Sequence, residues 1–130
     1  ASEAKINLGV SVINFVDFYH EHEDTIPANE NPVAITAKAR TGAHSTVSLT
    51  FLAADDLRSG HQTIAISQVT WTATGAGYQE GTMSKTSPQT VGTWTGAGSH
   101  SGTLSFFLDN TKQQDTGNYT SSGTFTLTAP

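Results

Sequence analysis

The chain has no cysteine, one methionine and only six basic residues against eleven acidic ones in 130 positions. Without thiols there are no disulfide staples and no thiolate chemistry, and the absence says nothing of compartment. Six Lys and Arg residues, nowhere clustered, cannot neutralise a run of phosphates, which argues against nucleic acid as a partner. No apolar run is long enough to cross a bilayer. No stretch holds a 3.6-residue amphipathic period long enough to make a helix. Apolar residues are scarce at 35%, and charged ones scarcer at 13%.

Hydroxyls fill the gap: 21 Thr and 13 Ser make up about a quarter of the chain. Thr is β-branched and suits the solvated face of a pleated sheet, while it is mediocre in helices. The composition therefore predicts an all-β fold. Low charge with abundant Thr, Ser and Gly fits a secreted surface protein. The start at Ala-Ser is read as a mature chain whose signal peptide has been removed.

The opening residues alternate with period two. Ala4, Ile6, Leu8, Val10 and Val12 fall on one side, and Lys5, Asn7, Gly9 and Ser11 on the other. Such a segment has one apolar face and one wet face, and as a terminal edge strand it is a hazard unless a sheet receives it. After Val12 the phase changes: Ile13 and Phe15 take the odd positions, then Val16 and Phe18 the even ones. A bulge or bend near Ile13 would turn the following side chains to another face. Residues 4–12 and 13–18 are thus expected in different environments.

Strands are expected near 4–18, 32–40, 46–53, 62–74, 82–95, 102–109 and 118–129, separated by Gly, Pro, Asn and Asp breakers. Seven or eight short strands at this spacing suggest a β-sandwich. The inward sets, and so the expected core, are Val33, Ile35, Ala37 and Ala39; Val47, Leu49, Phe51 and Ala53; Leu104, Phe106 and Leu108; Phe125 and Leu127; with Ile64, Val69 and Trp71. Two segments echo each other: Thr70-Trp71-Thr72 with Gly75-Ala76-Gly77, and Thr93-Trp94-Thr95 with Gly96-Ala97-Gly98. They read as a strand, a Gly-rich turn and a returning strand used twice, or as chance within a biased composition.

Candidate chemistry is sparse. His20-Glu21-His22-Glu23-Asp24 is the one dense cluster of ligand-type residues; His20 and His22 would share a strand face and could grip a transition metal. His44, His61 and His100 are scattered, so a solvated acidic loop is the favoured reading and no metal or cofactor is assigned. Asp55-Asp56 reads as a turn whose side chains bond nearby backbone amides, since adjacent carboxylates point apart. No nucleophile elbow and no phosphate-cradling Gly loop is present, so no catalytic residue is assigned. Trp71 is in phase with Val69 and reads as core. Trp94 is in phase with Gly92 and polar positions and reads as exposed; with Trp71, Tyr78, Tyr19 and Tyr119 it could offer a stacking platform for sugars. Asn118-Tyr119-Thr120 fits a glycosylation sequon.

The closing segment, Gly117-Asn118-Tyr119-Thr120 through Gly123-Thr124-Phe125-Thr126-Leu127-Thr128-Ala129-Pro130, together with the alternating first strand, resembles chaperone–usher pilins and the related spore-coat-protein-U-like secreted proteins. The lack of cysteine departs from many of those pilins. The resemblance implies an immunoglobulin-like sandwich lacking a strand, with residues 1–18 as an N-terminal extension and 19–130 as the sandwich domain. In that family the extension of the next subunit fills the open groove, so Ala4, Ile6, Leu8, Val10 and Val12 would be the donor-strand residues that bind a neighbouring subunit. The partners implied are identical subunits, with a periplasmic chaperone and usher as candidates, and the product is an extracellular, adhesive filament. The alternative is a secreted, self-contained binding module, most plausibly for carbohydrate, whose first strand completes its own sheet. The filament reading expects that the leading segment does not satisfy its apolar side within its own molecule.

Overall fold

A computed structural model describes residues 3–10, 12, 13, 15, 25–60, 62–109 and 121–130. Among them are eleven strands, all paired antiparallel: β1 (Glu3–Leu8), β2 (Thr25–Pro27), β3 (Val33–Arg40), β4 (Thr46–Ala53), β5 (Leu57–Ser59), β6 (Gln62–Ile64), β7 (Val69–Thr74), β8 (Gly81–Thr82), β9 (Gln89–Thr95), β10 (Gly98–Asp109) and β11 (Gly123–Thr128). The all-β expectation holds, and the only helical turn described is a short 3-10 segment at Ile66–Gln68.

The larger sheet runs β1-β3-β10-β7-β8, with β2 also on β10; the smaller runs β11-β4-β9, and β5-β6 form a separate hairpin. The larger two face each other as a sandwich. Alternation drives this: on β3, Val33, Ile35, Ala37 and Ala39 are buried, while Ala34, Lys38 and Arg40 are exposed. Val47 and Leu49 on β4 and Leu104, Phe106 and Leu108 on β10 meet them in the core. The outer face of the smaller sheet carries hydroxyls in register, with Thr128 beside Ser48 beside Thr93, and Thr126 beside Thr50 beside Thr90.

Several expected strands divide. The run 62–74 becomes β6, the 3-10 turn and β7, and 82–95 becomes a two-residue β8 followed by β9. The stretch 96–102, expected to be a breaker, is mostly strand, because β10 begins at Gly98 and pairs with β3 from Gly98 to Leu104. Ile26, Ala28, Ile66, Met83, Val91 and Trp94 join the core beyond the expected set, whereas Phe51, Phe125 and Leu127 are only partly buried. The echoed segments differ in use. The first copy is a hairpin, β7 to β8, while the second carries the chain from the smaller sheet on β9 to the larger on β10. Both turns need glycine at positive φ, Gly77 at 85° and Gly96 at 80°.

Asn31 acts as an artificial strand residue. Its side-chain amide donates to the Phe106 carbonyl and its carbonyl accepts from the Phe106 amide, both at 2.8 Å. This satisfies a stretch of β10 just where the Ala28 amide also bonds the Phe106 carbonyl.

Candidate functional site

The donor-strand residues read from the sequence lie at one open side of the sandwich. Residues in direct register share a sheet face, so Ala4 opposite Ala39, Ile6 opposite Ala37 and Leu8 opposite Ile35 all point toward the core side. The Gly9 amide extends the ladder by bonding the Ala34 carbonyl at 2.8 Å. A Cβ on Gly9 would lie 3.3 Å from the Ala34 Cβ of the same chain. One side of the backbone of residues 3–9 is therefore paired with the chain's own β3. This differs from the expectation that the segment finds its strand partner in a neighbour.

The side chains are another matter. Ile6 is half-buried against the core, but Ala4 is exposed. Leu8, Val10 and Val12 retain 41%, 37% and 63% of their surface, and they are the exposed large hydrophobic residues among those described. The cause is geometric. The opposing sheet ends at β11, which approaches β1 without covering it. On β11 the inward pair Phe125 and Leu127 is likewise only half-buried, as are Phe51 and Ala129 beside it. Phe51 and Phe125 lie 4.8 Å apart, ring centre to ring centre. Two strands with one neighbour each, β1 and β11, thus border an apolar opening. At its far end the Thr41 hydroxyl donates to the Pro130 carbonyl.

Ile13 and Phe15 are half-buried on the core, and Phe15 bridges to Ala28. Val10 and Val12, before them, are exposed, and residues 14 and 16–18 of the expected second environment lie outside the described residues. The outer face of β1 carries charge: Glu3 stands opposite Arg40, and Lys5 opposite Lys38.

The aromatic platform is corrected. Trp71 is buried, as read, and its indole N–H donates to the Gln79 carbonyl at 2.9 Å. Trp94, read as exposed, is only 8% exposed. An extra residue in β9 explains it: Leu49 pairs with Gly92 but Thr50 with Thr90, so Val91 forms a bulge and both Val91 and Trp94 turn inward. His100 stacks on Trp94 at 4.7 Å with rings 6° from parallel, Tyr78 meets it edge-on at 4.9 Å, and the indole N–H bonds the Ala76 carbonyl at 2.8 Å. Burial raises the Tyr78 phenol pKa, and its hydroxyl donates to the His100 carbonyl at 2.6 Å. Buried and stacked by His100, Trp94 offers no open platform to a sugar.

The remaining candidates are structural or lie elsewhere. Asp55 accepts the Asp56 amide and pairs with Arg58 at 2.6 Å; Asp56 accepts the Ile66 amide at 3.0 Å and pairs with Lys85 at 2.7 Å. These contacts hold both carboxylates below their ordinary pKa. They pin the β5–β6 hairpin beside the start of the 3-10 turn, as the turn reading requires. Among the described residues no three metal-type ligands come together, and no helix is long and apolar enough to cross a membrane. His20, His22, the acidic residues beside them, Tyr19, Tyr119, His61, the sequon and the domain boundary at residue 18 lie outside the described residues. Comparison with protein families and with curated proteins gave no match.

Proposed function

We propose that this protein is a structural subunit of an extracellular filament, joined head-to-tail when residues 4–12 of one copy complete the open side of the next. The observation that carries the reading is the position of its exposed apolar side chains. Leu8, Val10 and Val12 follow one another at alternate positions of the segment read as a donor strand and are exposed, and β1 approaches β11, whose Phe125 and Leu127 are only half-buried. Strand addition supplies main-chain hydrogen bonds from an edge and seats alternate side chains in a groove. A contact between two different surfaces does not close on itself, so it propagates as a filament. A dedicated chaperone and an usher, or another secretion route, would deliver such a subunit to the cell surface.

The carbohydrate-module alternative loses its platform, because Trp94 is stacked beneath His100. Electron microscopy of the purified protein tests the filament reading, with a chain lacking residues 1–12 beside it. Filaments are expected from the first and none from the second. A first protein that stays monomeric at every concentration, or a truncated one that still forms filaments, refutes it.

A further inference from the structure

We propose that the outer face of β1 and β3 binds an acidic polysaccharide, with Lys5, Lys38 and Arg40 holding its carboxylates and the hydroxyl and amide groups beside them its neutral parts. The site is formed within one chain, so it stands or falls separately from filament assembly. It works through charge, not through the aromatic stacking that burial of Trp94 removes.

The chain is acidic overall, with a net charge of −5, yet its unpaired cations gather in one place. Of its Lys and Arg residues, all but Lys112 are described. Arg58 and Lys85 are each committed to a carboxylate, of Asp55 and Asp56 respectively. Lys5, Lys38 and Arg40 are exposed and make no ion pair among the described residues, although Glu3 stands opposite Arg40. Lys5 and Lys38 are in direct register, which sets their Cβ atoms about 4.5–5.5 Å apart. Like charges so placed repel, and one carboxylate between them can accept from both ammonium groups. An open depression of about 570 Å³ is lined by Glu3, Ala4, Lys5, Lys38, Ala39 and Arg40. Alternation turns Ala4 and Ala39 to the other face, so their backbone forms its floor and the charged side chains its walls.

Beside the cations the face is neutral and hydrogen-bonding. Ser99 continues the Lys5–Lys38 row, and the next row is Asn7, Thr36 and Ser101, with the Thr36 and Ser101 hydroxyl oxygens 3.1 Å apart. Glu3 is the only acid in these rows, and no apolar side chain points out from them. Protein partners are held chiefly by buried aromatic and apolar anchors, and single-stranded nucleic acid by stacked aromatic rings. Neither is present here. Cations set among hydroxyls and an amide suit a sugar chain that carries both carboxylates and hydroxyls. Lysine on an edge strand commonly discourages pairing. That use covers Lys5 but not Lys38 and Arg40, which lie on β3 between β1 and β10.

The test is affinity electrophoresis of the full chain, in dilute solution, through gels containing polygalacturonate or its methyl ester, which keeps the backbone and loses the charge. Each variant's mobility in a plain gel is its reference. Retardation is expected from the polyuronate alone and should fade as salt rises. Lys5→Gln/Lys38→Gln should raise the apparent Kd about tenfold, the effect of losing two exposed charge contacts. Lys5→Arg/Lys38→Arg should retain binding, and Lys85→Gln, which removes a paired cation elsewhere, should change it by about twofold or less. The substituted side chains are exposed, so each variant is expected to fold, which thermal unfolding checks. The wild-type salt series and the methyl-ester gel stand without any variant. Absence of retardation, equal retardation by the methyl ester, indifference to salt, or an equal loss in Lys85→Gln overturns the proposal. So does tighter binding to oligothymidylate of matched charge, which would make this a nucleic-acid site.

Discussion

Replacing Val10 and Val12 with threonine removes apolar surface from the leading segment while keeping its shape and β preference. Together the two side chains leave about one valine's worth of surface in water, from exposures of 37% and 63%. Covering that surface at a subunit joint contributes roughly 1.5–2 kcal/mol at the lower end of the range for a buried aliphatic side chain. The double variant should therefore raise the critical concentration for assembly by about 10–30-fold, at about 1.4 kcal/mol per tenfold change. The free subunit should be nearly indifferent, because exposed positions away from core or cap shift stability by about 0.5 kcal/mol or less. Light scattering across a concentration series gives the first quantity and thermal unfolding of the monomer the second. An unchanged critical concentration would show that these valines face no neighbour. A large fall in melting temperature would show instead that they belong to the chain's own core, and either result defeats the reasoning.

Gly77→Ala should unfold or severely destabilise the domain, by about 3 kcal/mol or more, since the added Cβ would sit 2.1 Å from the Trp94 indole nitrogen at a φ of 85°; denaturant unfolding measures it. Asn31→Ala should cost about 2–3 kcal/mol by stripping the Phe106 amide and carbonyl of the Asn31 side chain, read from the urea midpoint at constant slope. The Asp55 pKa is lowered first by Arg58 and that of Asp56 first by Lys85. Their stabilisation is thus complete above the ordinary carboxylate pKa of about 3.9 and is lost as pH falls through the lower folded values. Asp55→Asn/Asp56→Asn should flatten the acid limb of a stability–pH curve while leaving its shape near neutrality, and an unchanged acid limb would count against the assignment.

The sequence announced the sandwich through period-two alternation, and that pattern located most of the core because a one-residue slip would expose it. It failed where alternation is interrupted. Trp94 looked exposed because its phase was counted from Gly92, and a bulge at Val91 puts two consecutive residues, Val91 and Gly92, inside. The Gly content near both tryptophans was the legible hint: Gly81 lies against Trp71, and Gly77 and Gly92 against Trp94, at distances no Cβ tolerates. β2 and β5 were hidden in segments whose Pro, Asp and Gly residues read as loops, and each is three residues long. The alternation of residues 4–12 and the shift near Ile13 were plain from the start. That the strand's backbone would rest on its own β3 was not, because register between distant segments depends on which edge is vacant after the rest has folded.

The two flanks of the sandwich are treated in opposite ways, and that contrast bears on function more than any single residue. On the far flank the segment after β7 crosses from one sheet to the other. Gln79 and Gly77 bond the edge of β9, and Met83 bonds Val69. The Trp71 and Trp94 indoles each pin a carbonyl of that same segment. Natural sheets protect edges by covering or shortening them, and here both devices are used, since β8 is two residues long. Among the described residues the near flank has neither. β1 and β11 are six residues each, have one strand neighbour apiece, and face half-covered Phe125, Leu127 and Leu8. A chain that seals one flank with two tryptophans has the means to seal the other. An apolar, unsealed flank is open to edge pairing, and under the proposed function pairing with a second copy would turn that exposure into assembly.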